Sequence, residues 1–126
     1  MSRQLYYYVV YFDMKRVVVQ TRKFSQVLDA LIDQKKLLKE DFEAFERRLV
    51  ANPDEGDVIQ GAGGLRKTRL KASSKGKSGG FRVCYLDVPE KEKLFLIVIF
   101  PKNVQENLSK DEIKVLKSIV DKLRKE

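Results

Sequence analysis

Seven consecutive apolar residues, 94–100, restrict the fold of this chain more than any other feature of its sequence. The run reads LFLIVIF and is far too short to cross a bilayer. A half-buried strand would alternate apolar and polar residues, whereas a run that is apolar at every position is typical of a strand covered on both faces. We therefore expect a central strand with packed layers on both sides of a sheet.

Three further stretches have strand composition. Residues 81–88 are rich in aromatic and branched side chains, and a Pro-Glu-Lys-Glu turn at 89–92 separates them from the central run, so the two stretches predict a β-hairpin. Residues 17–21, VVVQT, predict an early strand. Residues 65–71, which precede the hairpin, alternate imperfectly between apolar and polar side chains and predict a further strand. We expect the sheet to be mainly antiparallel.

Three segments carry apolar residues at the helical period of three or four positions. The first runs from Phe24 to about Gln34, and the second covers residues 38–49 with apolar spacings of 4, 3 and 4. The third begins at Ser109, which forms a capping box with Glu112. The first two helices make a hairpin whose aromatic stripe is expected to pack on the sheet.

The elements follow in the order strand, helix, helix, three strands, helix, which predicts one α+β domain with a helical hairpin and a C-terminal helix on the sheet. The 126 residues, 43% of them hydrophobic, suffice for a single modest core. We assign the domain to residues 17–126 and an N-terminal extension to residues 1–16. Met14 is a hypothetical alternative start of the natural protein.

Positive charge is concentrated in residues 58–86, which contain seven Lys or Arg and no Asp or Glu. The formal net charge of the whole chain is +8, so the remaining residues nearly cancel. Six of the seven glycines lie in the same stretch and predict tight turns. A cationic surface on a bent backbone indicates a polyphosphate or acidic protein partner.

The composition also excludes several kinds of site. With no His, the chain has no Ser-His-Asp triad, no imidazole acid/base and no zinc site of the usual kind. Cys84 is the only cysteine, and its apolar surroundings predict a buried thiol. Two nucleotide-binding motifs fail, because Lys71 and Arg66 stand where a P-loop and a dinucleotide fingerprint need glycine. We expect no metal, no cofactor, no membrane segment and a cytoplasmic protein.

The cations of residues 58–86 divide by their expected rigidity. Those in the Ser/Gly-rich loop are expected to attract phosphate without fixed geometry; they are Lys71, Lys75 and Lys77. The strand-borne cations are Arg66, Lys67, Arg69 and Arg82. An arginine on a strand can hold a phosphate with two hydrogen bonds. For Arg82 the alternative is a salt bridge to a helix carboxylate.

Three motifs together resemble a known family. The segments GDVIQGAGGLRKTRL, KGKSGGFRVCYL and LFLIVIFPKN, the last followed by a capped helix, are similar to the HigB branch of the RelE-like bacterial toxins. The resemblance spans residues 17–123 and implies the compact RelE-like fold. It also implies a type II toxin that enters the ribosomal A site and cuts mRNA, with a cognate antitoxin, the ribosome and mRNA as partners.

The resemblance implies roles for individual residues. Arg82, in GGFRV, matches the phosphate-holding arginine of the family. Basic residues of the preceding strand and of the segment after the last strand are matched by Arg66, Lys67, Arg69 and Lys102. RelE itself has a cleavage tyrosine near the start of its final helix, where this chain reads Asn-Leu-Ser at 107–109, and other HigB proteins use histidines that this chain lacks.

We expect a metal-independent cleavage in which the 2′-hydroxyl of the RNA attacks the adjacent phosphate. Arg82 and Arg66 would stabilise the developing charge. Proton transfer is assigned to Lys67 or Lys102, since crowding by like charges favours a neutral amine. Two alternatives stay open: a ParE-like inhibitor that binds DNA gyrase, and an RNA-binding module without cleavage, which is weakened by the lack of an obvious aromatic stacking platform.

Overall fold

The computed structural model describes residues 7–11, 16–73, 80–102 and 107–126. The elements in chain order are β1 (Tyr7–Tyr11), β2 (Arg16–Gln20), α1 (Arg22–Asp33), α2 (Lys39–Ala51), β3 (Asp57–Val58), β4 (Arg66–Leu70), β5 (Phe81–Val88), a 3₁₀ turn (Pro89–Lys91), β6 (Lys93–Pro101) and α3 (Lys110–Lys125). The α+β class is confirmed, and the order of the predicted helices and strands is as expected. None of the helices in these ranges is long and apolar enough to span a bilayer.

One six-stranded sheet has the order β1-β2-β6-β5-β4-β3. β2 and β6 run parallel, and every other pair of neighbours is antiparallel. The sheet is therefore mainly antiparallel, as the sequence predicted. The parallel pair brings β2 beside the apolar run 94–100.

β6 lies at the centre of the sheet, between β2 and β5. Leu94 and Leu96 pack in one core cluster, and Phe95 and Ile97 pack in the other, so both faces of the strand are buried. The register with β5 shifts between Cys84 and its neighbour, which leaves Ile97 as the extra residue of a β-bulge. The predicted central strand with two covered faces is confirmed.

α1 and α2 cover one face of the sheet. Thr21 begins α1 by accepting a hydrogen bond from the backbone N–H of Phe24 at 3.3 Å. The ring centroids of Phe24 and Phe42 are 6.1 Å apart, as are those of Phe42 and Phe45. These rings pack with β5 residues such as Val83, so the aromatic stripe belongs to the core, as expected.

α3 and the loop 59–65 cover the opposite face. The capping box of Ser109 and Glu112 is present, with hydrogen bonds of 2.8 and 3.1 Å. Arg124 donates two hydrogen bonds to the carbonyl of Gly63, at 2.9 and 3.3 Å. Gly63 and Gly64 have φ of +70° and +101°, which only glycine adopts without strain. The glycines therefore form the bent connection that the sequence predicted, packed beneath a helix.

Two strands add to the predicted order. β1 pairs antiparallel with β2, so part of the extension 1–16 joins the sheet at its edge. β3 has two residues and pairs only with Arg66 and Lys67 of β4. Because β3 ends there, the outer side of residues 68–70 borders no strand within the described ranges.

Candidate functional site

The pairing of β4 with β5 brings several predicted cations to one face of the sheet. Arg69 lies opposite Arg82, and Lys67 lies opposite Cys84. Side chains alternate along a strand, so these cations project on the side of Cys84, which packs in the cluster under α3. Arg66 lies opposite Tyr85 and projects to the other side.

The cations border an open cleft of about 450 Å³ at the outer edge of β4. We call it the edge cleft and define it by its charged lining residues, Arg48, Lys67, Arg69, Lys71, Arg82, Glu55 and Asp57. Five cations and two carboxylates give the cleft an excess of positive charge. A surface of this kind attracts anions and raises their local concentration.

Arg82 is the most buried cation of the edge cleft, with 7% of its surface exposed. Within the described part of the chain its guanidinium makes no hydrogen bond and no ion pair, so the alternative of a salt bridge to a helix carboxylate is not formed there. The residue as a whole is buried, while its guanidinium lines the open cleft, where an anion can reach it. A guanidinium held on a rigid strand in this way can receive an anion with two hydrogen bonds.

Arg48 of α2 closes the cleft on the helical side. Its Nε and Nη2 donate to the two carboxylate oxygens of Glu55 at 3.1 and 3.0 Å, and Nη2 also donates to the carbonyl of Arg69 at 2.8 Å. Glu55 accepts a further hydrogen bond from the Thr68 hydroxyl at 2.7 Å. The guanidinium lies 5.3 Å above the ring of Phe45. Arg48 thus neutralises Glu55 and satisfies a carbonyl at the unpaired edge of β4.

Tyr85 fixes the turn that carries Glu55 and Asp57. Its hydroxyl donates to the carbonyl of Pro53 at 2.7 Å and accepts from the backbone N–H of Gly56 at 2.9 Å. Gly56 has no room for a side chain, since a Cβ there would lie 2.8 Å from the carbonyl oxygen of Lys67. Burial is the main reason that the pKa of Tyr85 is raised. Tyr85 is a structural anchor with a protonated hydroxyl.

Lys67 connects the sheet to the segment that precedes α3. Its Nζ donates to Oδ1 of Asn107 at 3.1 Å. Asn107 lies in the region where RelE itself has the tyrosine, and it lines the edge cleft. Asn107 therefore holds the Nζ of Lys67 at the mouth of the cleft.

An adjoining cleft of about 430 Å³ shares Arg69, Lys71 and Arg82 with the edge cleft. Lys102 lines it, and the Lys102 backbone N–H donates to the carbonyl of Gly80 at 3.2 Å. The one carboxylate among its lining residues, Asp41, accepts hydrogen bonds from the backbone N–H and hydroxyl of Ser73 at 2.9 and 2.8 Å. The two clefts form one cationic surface along β4 and the first residues of β5.

One family model, that of the RelE toxin of the RelE / RelB toxin-antitoxin system, matches residues 16–126, which is most of the chain. The chain belongs to the RelE toxin family. It is therefore a toxin of a toxin-antitoxin system, and the family implies an antitoxin as its partner. The fold described above is consistent with the compact fold expected of a RelE toxin. Its assignment to the HigB branch stays a prediction.

In this RelE toxin, four predicted residues meet in the edge cleft and one lies in the adjoining cleft. The four are Lys67, Arg69, Lys71 and Arg82, and the fifth is Lys102. Arg66 is placed elsewhere, because its Nη1 donates to the carbonyls of Asp54 and Gly56 at 3.2 and 2.7 Å and thereby supports the turn. The phosphate-binding role of Arg66 stays a prediction that this placement does not favour. Lys75 and Lys77 lie outside the described residues.

Three side chains near the clefts of the RelE toxin are too buried to contact a ligand: those of Cys84, Phe81 and Tyr85. The Cys84 side chain is fully buried, and desolvation raises its pKa to about 12. The rings of Phe81 and Tyr85 lie in the core cluster beneath α1 and α2. The predicted buried thiol is confirmed, and neither ring offers a stacking surface for a base.

Proposed function

We propose that this RelE toxin is a ribosome-dependent endonuclease that cuts mRNA in the ribosomal A site. The observation that carries the proposal is Arg82, a largely buried residue whose guanidinium lines the open cleft beside other cations and has no partner among the described residues. Clustered cations repel one another, and a phosphodiester backbone removes that repulsion. The toxin domain is residues 17–126, with residues 1–16 as an extension, and the toxin acts in the cytoplasm.

In the proposed reaction the 2′-hydroxyl oxygen of one nucleotide attacks the adjacent phosphorus, and the 5′-oxygen of the next nucleotide leaves. A 2′,3′-cyclic phosphate forms, the 2′-hydroxyl loses a proton, and the leaving oxygen gains one. Negative charge grows on the non-bridging oxygens during the attack. Two N–H groups of Arg82 would therefore bind the transition state more strongly than the ground state, with Arg69 opposite it on a neighbouring phosphate.

We assign the proton transfer to a lysine. Lys67 is the first candidate, because it shares the edge cleft with Arg82 and its Nζ is held by Asn107. Lys102 is the second candidate, in the adjoining cleft. A group held in a fixed position transfers a proton more effectively than a mobile one.

The shape of the cleft supports a requirement for the ribosome. In-line attack needs the RNA in a defined geometry, and a shallow cationic cleft attracts phosphates without imposing that geometry. The aromatic rings of β5 are buried and cannot stack on a base. We infer that the ribosome orients the mRNA and that the toxin supplies charge and proton transfer.

The proposal is tested by translating a defined mRNA in vitro with the purified toxin and mapping cuts by primer extension. We expect cuts only when ribosomes are present, and a fall of about 10²- to 10³-fold in the rate with Arg82→Ala, as for the loss of a group that stabilises an oxyanion. Arg82→Lys keeps the charge and loses the two-pronged geometry, so its rate should lie between the two. Arg47→Ala is the matched control, since Arg47 is exposed on α2 and lines neither cleft.

Ribosome-dependent cuts that persist unchanged in Arg82→Ala would contradict the assigned site. Absence of any cut by the parent protein, with translation still running, would contradict the nuclease itself. A DNA gyrase supercoiling assay would then test the ParE-like alternative, and RNA binding without cleavage would support the binding module.

A further inference from the structure

A second, smaller pocket opens from the edge cleft toward α3. Its volume is about 220 Å³, and it shares Asp57, Lys67 and Asn107 with the edge cleft. Its remaining lining residues are apolar: Val58, Ile59, Leu108 and Ile113. We call it the side pocket. The arrangement joins an apolar cavity directly to a cationic surface.

The floor of the side pocket is fixed by the core. Ile59, Leu108 and Ile113 pack against the cluster under α3. The backbone N–H of Ile59 also donates to the carbonyl of Leu65 at 2.9 Å, which ties the floor to the loop 59–65. A ligand in the pocket would therefore meet a preformed surface, which lowers the entropic cost of binding.

Val58 and Asp57 form the exposed wall of the pocket. Val58 is 59% exposed, and it is one of three exposed large hydrophobic side chains among the described residues. The Asp57 carboxylate makes no hydrogen bond or ion pair within those residues. A carboxylate repels phosphate and therefore weakens its binding. The position of Asp57 beside five cations suggests a ligand that presents hydrogen-bond donors as well as a phosphate.

We propose that the side pocket binds one nucleobase of the RNA whose phosphate lies in the edge cleft, a role that rests on the proposed function. A nucleobase has apolar faces and a polar edge, and its phosphate is joined to it through one sugar. The apolar side chains cover the faces, and Asp57 accepts a hydrogen bond from an exocyclic amino group on the edge. The volume is below the range of about 300–1,000 Å³ that is usual for drug-sized ligands, and it suits a single ring system.

The geometry therefore points to a preference at one position of the cut site. A carboxylate accepts hydrogen bonds and cannot donate them. The one edge donor of uracil, N3–H, lies between two carbonyl oxygens that repel a carboxylate, so bases that carry an exocyclic amino group are favoured over uracil. Asp57 sets the choice of base, and Val58 adds apolar contact only at the codons whose base enters the pocket.

The test maps cleavage of one mRNA that presents every codon, comparing the parent with Val58→Ser, Asp57→Asn and a matched control. The control is Val115→Ser, because Val115 is equally exposed, at 60%, but lies on α3 away from the side pocket. We expect Val58→Ser to lower cleavage about three- to tenfold at the codons that the parent prefers, from the lost apolar contact. Asp57→Asn should reduce the preference against uracil, and Val115→Ser should leave rates and codon ranking unchanged.

Three results would overturn the side pocket as a base site. Equal rates and ranking in the parent, Val58→Ser and Asp57→Asn would do so while leaving the nuclease intact. A uniform fall at all codons in Val58→Ser, with the ranking preserved, would do so as well. A parent protein that cuts no mRNA would refute the nuclease first and the base site with it. Circular dichroism of each variant verifies the fold, which should be kept because Val58 and Asp57 are exposed.

Discussion

Replacing Tyr85 by Phe should destabilise the toxin, because it removes a hydroxyl that makes two hydrogen bonds. The substitution leaves the buried N–H of Gly56 without its acceptor and the carbonyl of Pro53 without its donor, bonds of 2.9 and 2.7 Å. A net contribution of about 1 kcal/mol for each bond, raised by the cost of an unsatisfied buried group, gives a loss of about 2–3 kcal/mol. This is a large share of the roughly 5–15 kcal/mol by which a domain is stable.

Urea unfolding followed by circular dichroism measures the loss. With an m-value of about 2 kcal/mol/M, the midpoint should fall by roughly 1–1.5 M with no change in m. Ser118→Ala, which removes an exposed hydroxyl from α3, is the control and should stay within about 0.5 kcal/mol of the parent. A midpoint for Tyr85→Phe that equals the control would refute the argument that this hydroxyl holds the turn of the edge cleft.

Two further predictions concern Cys84 and Gly56. Because the pKa of the Cys84 thiol is raised from 9.0 to about 12, the folded protein keeps a proton that the unfolded chain loses, and stability should fall by up to about 1.4 kcal/mol per pH unit between pH 9 and 12. Urea unfolding across that range should show a shallower decline in Cys84→Ala, and an unchanged decline would contradict the assignment to this thiol. Gly56→Ala should cost about 1–3 kcal/mol, since its Cβ would overlap the Lys67 carbonyl oxygen, and it should also slow mRNA cleavage by moving Asp57. Gly61→Ala is its control, with backbone strain of about 1–2 kcal/mol and only an ordinary van der Waals contact of its Cβ, 3.9 Å from Cγ2 of Ile113, and it should leave cleavage intact.

The sequence predicted those elements whose signals are local. Apolar side chains at helical spacing located α1, α2 and α3, and Ser109 with Glu112 marked the start of α3 within a single turn. The unbroken apolar run predicted that β6 is central, because a strand that is apolar at every position has apolar side chains on both faces. β3 carried no such signal, since two residues are too few to show a period, and the bulge at Ile97 depends on pairing with β5.

The candidate site was predictable in its charge and only in part in its geometry. Arg82 and Arg69 were identified, but their shared face follows from the β4–β5 register, which the residues alone leave open. Arg66 was grouped with them because it is equally basic, yet it projects to the opposite face. Arg48 was not among the predicted site residues, because its contact with Glu55 depends on how α2 packs against the turn.

The short length of β3 has a consequence for the behaviour of inactive variants. Residues 68–70 of β4 present a strand edge that could pair with another copy of the chain, and strand edges of this kind are guarded by charged side chains. Arg69 and Lys71 stand at this edge, and Arg48 covers one of its carbonyls. The cations assigned to the substrate would then also keep the molecules apart. Replacing them with neutral residues to remove toxicity would favour self-association. A detoxified protein for structural work is therefore better made by replacing Arg82, which lies on β5, and keeping the cations of the β4 edge.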